Sequence, residues 1–217
     1  LRSDAQVGMP AAEYFGVAAD VVLEIGLTAN RGDAASHLGV ANDLAALLKQ
    51  DFDRITHQTL PIKSQGRSVS VADLELCQRY IALEIQGLQL GESPDFVKHR
   101  LRAIGIEPRN NVVDTTNYFL HQTGQPMHAF DADLLEGNLV VRLALADEKL
   151  VLLDGKSINL DSQDVVIADA SGAIALAGVM GGLKTAVSAN TKNILLEIAH
   201  FHPTLVRKSA KRHHLHT

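Results

Sequence analysis

The sequence predicts an α+β fold with mixed or antiparallel sheets and flanking helices, preceded by a small α/β segment. Hydrophobic residues make up 46% of the 217 positions, enough to bury a core, and the formal charge of −5 is far from that of a disordered chain. Short β-branched segments separated by turn residues fill the C-terminal half. Predicted helices and strands occur in blocks, without the regular βαβ alternation of a parallel sheet.

The N-terminal segment predicts one strand and one helix. Residues 20–27 (DVVLEIGL) are rich in aliphatic and β-branched residues, which is typical of a strand. Asp33 is in position to cap a helix over residues 34–49, where apolar residues recur at helical spacing. We assign residues 1–55 to this segment and expect a linker over residues 56–74, where the pattern becomes polar.

Residues 75–217 predict a second domain of strands and helices. The predicted strands cover residues 79–87, 138–145, 149–153, 164–168, 173–177 and 193–199, each bounded by turn residues. One helix starts at the Ser93-Pro94-Asp95 motif, with Ser93 as its cap, and stops at Gly105. Two further helices are predicted over residues 113–122, ending at Gly124, and over residues 203–211.

Polar residues are densest in residues 113–131, VDTTNYFLHQTGQPMHAFD. If Asp114 caps the helix, Thr116 and Asn117 lie in its first turn, where backbone N–H groups favour anionic or ester oxygens. His128 follows Pro126, which stiffens the chain. Local chemistry alone favours a structural interpretation, in which Asp114 and Thr115 only cap the helix and His128 is a half-buried histidine with its hydrogen bonds satisfied.

Two other features could belong to a binding site or have only a structural role. Residues 177–182 (AGVMGG) let the backbone approach a neighbour closely or make a tight turn, and they match neither a Walker loop nor a dinucleotide fingerprint. Glu197 is a carboxylate in an apolar strand. If it is buried it needs a partner, but strand alternation could equally turn it towards solvent.

Composition and charge limit the classes of partner and site that the chain can have. The single cysteine, Cys77, excludes an internal disulfide and indicates a reducing, cytoplasmic setting. The ten histidines match no metal-ligand spacing, so no metal site is expected, and no apolar stretch is long enough for a membrane span. Residues 114–169 hold 10 acids and 3 bases, whereas residues 170–217 hold 1 acid and 6 bases.

The basic residues near the C-terminus form two pairs one helical turn apart. They are Arg207, Lys208, Lys211 and Arg212. Such a stripe either faces RNA phosphates or is a solvated helix face. The uneven charge distribution leaves room for RNA at this end of the molecule, although the net charge speaks against a protein that simply coats nucleic acid.

Four segments, in this order, resemble the beta-subunit family of bacterial phenylalanyl-tRNA synthetases. They are LEIGLTANRGDAASHLGVANDLAALL (residues 23–48), VDTTNYFLHQTGQPMHAFD (113–131), IALAGVMGG (174–182) and LEIAHFHPTLVRKSAKRHHLHT (196–217). The resemblance implies that residues 1–55 are part of the small module flanking an inserted OB-fold. It implies that residues 75–217 are the editing domain, which hydrolyses mischarged Tyr-tRNA(Phe).

The resemblance also implies roles for individual residues. Glu197 would recognise the tyrosine hydroxyl, while Thr116, Asn117 and His128 would position the ester and the attacking water. Ala177, Gly178 and Gly181 would form a wall of small residues that leaves room for the ring. Such a second site is needed because a hydrophobic synthetic pocket cannot strongly reject an isostere that only adds a hydroxyl group.

The resemblance implies partners and cofactors for a larger parent enzyme. The partners are tRNA(Phe) and an alpha subunit, in a cytoplasmic heterotetramer of two alpha and two beta chains. ATP and Mg²⁺ would bind outside this chain, which needs no cofactor of its own. The chain starts at Leu1 and stops at Thr217, before a family segment that completes the pocket, so we expect a truncated fragment.

Two alternatives to an editing site within a larger enzyme stay open. One is a structural or tRNA-docking module without hydrolytic activity. The other is a free-standing deacylase acting in trans, which the apparently cut ends disfavour.

Overall fold

The computed structural model describes residues 5–16, 21–52, 59, 61 and 66–215. Asp20 of the predicted first strand, much of the predicted linker and His216 and Thr217 of the C-terminal motif lie outside these residues. Among the described helices, none is long and apolar enough to cross a membrane.

The described residues form five α-helices and ten strands, and the α+β class predicted from the sequence is confirmed. The helices are α1 (Ala11–Tyr14), α2 (His37–Leu48), α3 (Asp95–Ala103), α4 (Asn111–Thr123) and α5 (Pro203–Arg212). The strands are β1 (Val69–Val71), β2 (Cys77–Ile85), β3 (His128–Asp131), β4 (Leu139–Leu143), β5 (Lys149–Val151), β6 (Ser157–Asn159), β7 (Val165–Asp169), β8 (Gly172–Leu176), β9 (Met180–Gly181) and β10 (Ile194–Phe201).

Two sheets enclose the main core. A mixed sheet has the order β1-β4-β7-β8-β9, in which only the β1–β4 pair is parallel, and an antiparallel sheet has the order β2-β10-β3. Phe130 and Leu195 from the three-stranded sheet pack with Val141 and Ile167 from the five-stranded sheet. The hairpin β5–β6 covers the other face of β7, which explains why every residue of that strand is buried.

The N-terminal segment differs from the prediction. Residues 21–27 are not in a strand, and Val21 and Leu23 are 78% and 70% exposed. Aliphatic composition fits a strand only where a neighbouring strand and a core face are available, so composition alone was misleading here. Asp33 does not cap α2: the Ser36 side chain does so by accepting a hydrogen bond from the Gly39 N–H.

The caps of α3 and α4 also differ from the prediction. Ser93 does not cap α3, because its hydroxyl donates to the buried Asp114 carboxylate at 2.5 Å. Asp114 is therefore not the cap of α4. Asn110 caps that helix by accepting from two backbone N–H groups, so Thr116 and Asn117 lie in the second turn and not the first. The C-terminus agrees with the prediction, since α4 ends at Gly124 with a φ of +80°.

Four short strands were not predicted. The strand β1 falls inside the predicted linker and pairs with β4, and β6 completes the hairpin with β5. The strand β3 falls in what the sequence suggested was the loop after α4, and β9 falls in the glycine-rich residues 177–182. Both β3 and β9 contribute residues to the same cavity.

Candidate functional site

A cavity of about 600 Å³ lies where β3, β10, the β8–β9 turn and α5 meet. Its walls are mostly apolar, with Ile167, Ala175 and Phe201 among them. Glu197 and His128 both line it. The arrangement is typical of a ligand site, in which a few polar groups converge in an apolar pocket.

Glu197 and His128 are brought together by strand register. They are directly opposite each other in the antiparallel pair β10–β3, and residues opposite in such a pair project from the same face of the sheet. Glu197 is only 7% exposed, and no described side chain donates a hydrogen bond to its carboxylate. Burial raises the pKa of Glu197 to about 8, so at neutral pH the carboxyl group is mostly protonated and can both donate and accept.

The His128 ring is held by packing rather than by hydrogen bonds. It lies edge-on to the Phe130 ring, with centroids 4.5 Å apart and an interplanar angle of 78°. Its Nε2 atom is buried and has no hydrogen-bond partner among the described residues. Burial lowers the pKa of His128 to about 4, so the imidazole is neutral at pH 7.

The two glycines of the implied wall line the cavity, but protein side chains fill the space beside them. A Cβ at Gly181 would lie 2.4 Å from Cε1 and 2.6 Å from Nε2 of His128. Gly178 has a φ of +67°, and a Cβ there would lie 2.9 Å from Val206 Cγ2. These glycines therefore let His128 and α5 approach closely. That they also leave room for a ligand ring, as the resemblance implied, stays a prediction.

Three other predicted site residues do not line this cavity. Ala177 is 1% exposed and packs in the main core, with its backbone N–H donating to Val165 O. The Thr116 hydroxyl donates to the Val113 carbonyl of its own helix at 2.8 Å, and Asn117 follows it on α4. The cavity is lined instead by the segment after α4, Gln125-Pro126-Met127, which lies inside the quoted motif but was given no role in a site.

The basic residues of α5 divide into two groups. Arg207 is exposed and lines the cavity, and Lys208 and Lys211 are exposed. Arg212 differs, because its guanidinium group donates to the buried Asp164 carboxylate. Because this internal carboxylate already pairs with the guanidinium group, contact between Arg212 and RNA phosphates stays a prediction that the fold does not favour.

Asp164 anchors the C-terminal half of α5. Its carboxylate is fully buried and accepts hydrogen bonds from Ser209 Oγ at 2.7 Å, His213 Nε2 at 2.6 Å and the Asp161 N–H at 2.9 Å. Burial alone would raise the pKa of Asp164, but these hydrogen bonds outweigh it and the pKa is lowered. The anchor fixes α5 against the start of β7.

Metal ligation has no support in the described part of the chain. No group of three or more histidine, cysteine or acidic side chains there could hold a metal ion. His213 is bonded to Asp164, and Cys77 is buried as a free thiol.

Comparison with known proteins relates the whole chain to one kind of subunit. The B3/4 domain family matches residues 76–217. Over its full length, the chain is 45% identical to the phenylalanine–tRNA ligase beta subunit of Porphyromonas gingivalis and 44% identical to that of Geobacter sulfurreducens. It spans 28% of the length of each of these relatives.

A solved structure with a similar fold is an N-terminal fragment of the phenylalanyl-tRNA synthetase beta subunit from Pyrococcus horikoshii. The TM-score is 0.50 at 15% sequence identity, and the match covers 84% of this chain and 58% of that one. At this level of identity the similarity concerns the fold.

Proposed function

Because the chain belongs to the B3/4 domain family, we propose that its cavity is the editing site of a phenylalanine–tRNA ligase beta subunit. The reaction is hydrolysis of the ester bond in mischarged Tyr-tRNA(Phe). One observation carries the proposal: the buried Glu197 carboxyl group faces an apolar cavity opposite His128 and has no donor among the described side chains.

Glu197 gives the cavity a means of selecting tyrosine. Tyrosine and phenylalanine differ by one hydroxyl group, and a protonated carboxyl group can both donate to and accept from that hydroxyl. Bound phenylalanine would leave the buried carboxyl group unpaired, which costs about 1–3 kcal/mol. A site built to bind a hydroxyl can therefore reject the analogue that lacks it far more strongly than an apolar pocket rejects an added hydroxyl.

His128 is proposed to position the ester or the attacking water. With its pKa lowered to about 4, the imidazole is neutral but only weakly basic, so positioning suits it better than general-base catalysis. Holding water against the ester in a fixed geometry is itself a large contribution to rate. Thr116 and Asn117, which share this proposed role by resemblance, are not among the residues that line the cavity, so His128 is the first residue to test.

The exposed cations of α5 are proposed to contact tRNA(Phe). Arg207 lines the cavity, and Lys208 and Lys211 follow it on the same helix. They would hold phosphates of the strand that delivers the ester. Aminoacylation, with its ATP, Mg²⁺ and alpha subunit, is proposed to lie outside this segment of a cytoplasmic enzyme.

A chimaeric ligase tests the proposal. The matching segment of the Porphyromonas gingivalis beta subunit is replaced by this chain, the subunit is assembled with its alpha subunit, and hydrolysis of Tyr-tRNA(Phe) and Phe-tRNA(Phe) is measured. We expect Glu197→Ala to reduce the preference for the tyrosyl ester roughly 10- to 100-fold. Glu84→Ala, on the neighbouring strand β2, is the control. Equal preference with and without Glu197 would refute its role.

A docking module without hydrolytic activity is the second candidate, favoured by the exposed cations on α5. It predicts that simultaneous replacement of Thr116, Asn117 and His128 leaves Tyr-tRNA(Phe) hydrolysis intact. The editing proposal predicts that hydrolysis is lost in that variant.

A further inference from the structure

A second polar side chain lies next to Glu197 on the same face of the three-stranded sheet. In the β10–β2 pair, Glu197 is opposite Ala82 and Ala199 is opposite Tyr80. Tyr80 is therefore the diagonal neighbour of Glu197 on the face that packs on the main core. Diagonal neighbours in an antiparallel sheet are within reach of each other when one is aromatic and the other is long.

The Tyr80 hydroxyl is buried and has no hydrogen-bond partner among the described residues. Burial raises the pKa of Tyr80, and the charge of the Glu197 carboxylate raises it further. The Tyr80 ring is fixed edge-to-face against Phe201, with centroids 6.4 Å apart. Phe201 lines the cavity, so the ring that Tyr80 contacts is part of the cavity wall.

A buried hydroxyl group without a partner, on the same sheet face as an acid that has no donor, is unusual in a folded protein. Most buried hydroxyl and carboxyl groups are paired, and an exception calls for an explanation such as a functional role. A phenylalanine at position 80 would fill the same space without a buried unpaired hydroxyl. The Tyr80 hydroxyl is thus unexplained by packing.

We propose that Tyr80 is a positioning residue for Glu197 in hydroxyl recognition. A rotation of the Glu197 side chain would bring one carboxyl oxygen to the unpartnered Tyr80 O–H, which then donates to it. The carboxyl O–H is thereby left to donate into the cavity, to the hydroxyl oxygen of a bound phenol. The inference rests on the proposed function and extends it, because it makes selection of tyrosine depend on a pair of residues rather than on Glu197 alone.

The donor and acceptor groups of a protonated Glu197 are compatible with this pairing. A protonated carboxyl group has one O–H donor and a carbonyl oxygen that accepts. If the carbonyl oxygen accepts from Tyr80, the O–H is the group left for the ligand. Without Tyr80, either carboxyl oxygen can turn to the cavity, and the selective orientation is lost.

The Tyr80→Phe variant of the chimaeric ligase tests the proposal by removing one oxygen atom. We expect the ratio of kcat/KM for Tyr-tRNA(Phe) to kcat/KM for Phe-tRNA(Phe) to fall about three- to tenfold, through slower hydrolysis of the tyrosyl ester. Tyr118→Phe is the matched control, because that hydroxyl accepts a hydrogen bond from Arg100 on an exposed surface. An unchanged ratio in Tyr80→Phe overturns the proposal, whereas a wild-type ligase with no preference refutes the editing function.

A second measurement does not depend on editing. The Glu197 carboxyl carbon is titrated by NMR in the 217-residue chain. A hydrogen bond from Tyr80 stabilises the carboxylate more than the acid, so Tyr80→Phe should raise the titration midpoint by roughly half a pH unit to one unit. The other titratable or charged groups that lie near Glu197 or line the same cavity are His128 on β3, Cys77 on β2, His200 on β10 and Arg207 on α5, and all four are unchanged in the variant. An unchanged midpoint overturns the proposal.

Discussion

Two buried carboxyl groups, Asp164 and Glu197, lie near opposite halves of α5 and have opposite environments. Asp164 accepts hydrogen bonds from Ser209, His213 and a backbone N–H, and its pKa is lowered. Glu197 has no such donor among the described residues, and burial raises its pKa to about 8. A buried acid whose partners come from its own chain stabilises the fold. One that faces a cavity without them is available to a ligand.

The largest effect is expected at the paired acid. Asp164→Ala removes the acceptor shared by Ser209, Arg212 and His213, so the free energy of unfolding should fall by about 3–5 kcal/mol. Urea unfolding of the 217-residue chain measures it. Asp161→Asn is the control, because the side chain of Asp161 is 45% exposed and its contact with Arg212 is 3.6 Å long. Equal losses in both variants would contradict the anchoring role.

The next effect concerns the packing of His128. Gly181→Ala places a methyl group 2.4 Å from Cε1 of the ring, which should destabilise the chain by about 1–3 kcal/mol. Most of this loss should disappear when the substitution is made in a His128→Ala background, because the ring is then absent. The unfolding free energies of the wild type, the two single variants and the double variant form a double-mutant cycle that measures this coupling.

Gly91→Ala is the control for this cycle, since a Cβ there meets nothing within 4 Å. It should change stability by less than about 0.5 kcal/mol. If the Gly181 and His128 effects simply add, the glycine does not act through the ring.

The unpaired acid should reveal itself in the pH dependence of stability. The folded pKa of Glu197 is raised from 4.5 to about 8, so between these values the folded chain holds a proton that the unfolded chain has lost. The free energy of unfolding therefore falls as pH rises through this window, by up to about 1.4 kcal/mol per pH unit. Glu197→Gln should remove this slope.

His128 contributes with the opposite sign over a lower range. Its pKa is lowered from 6.5 to about 4, so its contribution to stability rises with pH across that interval. Urea unfolding between pH 6.5 and 8 therefore separates Glu197 from His128. A wild-type slope that persists in Glu197→Gln would show that another group carries it.

The smallest effect compares two arginines of α5. Arg207→Ala should leave stability unchanged and should flatten the salt dependence of Tyr-tRNA(Phe) hydrolysis by the chimaeric ligase, by roughly 0.7 in log–log slope for one phosphate contact. Arg212→Ala should lower stability instead, because Arg212 is bound to Asp164. The reverse pattern would show that the two arginines were assigned the wrong way round.

Local patterns predicted much of the fold. The helices α4 and α5 and the strands β4, β7 and β8 lie within a few residues of their predicted positions, because apolar periodicity and turn residues are local signals. The predicted helix caps were wrong where a side chain bonds to a residue far away in the sequence. Ser93 and Asp114 each looked like a helix cap, yet they bond to each other across the α3–α4 contact.

The candidate site was predictable only in part, for the same physical reason. The sequence placed Glu197 in an apolar strand but left its direction open, because alternation does not say which face a neighbouring sheet covers. The register that sets Glu197 opposite His128 depends on β3, which was not predicted. The close approach of Gly181 to the His128 ring depends on the β8–β9 turn, so spacing along the chain could not show it.

The most direct test follows the Glu197 carboxyl carbon by NMR in the 217-residue chain while L-tyrosinamide or L-phenylalaninamide is added. We predict a titration midpoint near pH 8 in the free chain, and a change in the signal on addition of the tyrosine derivative that the phenylalanine derivative does not produce. A midpoint near the ordinary value of 4.5, or the same response to both amides, would contradict the assignment of Glu197 as an unpaired acid that recognises a hydroxyl group.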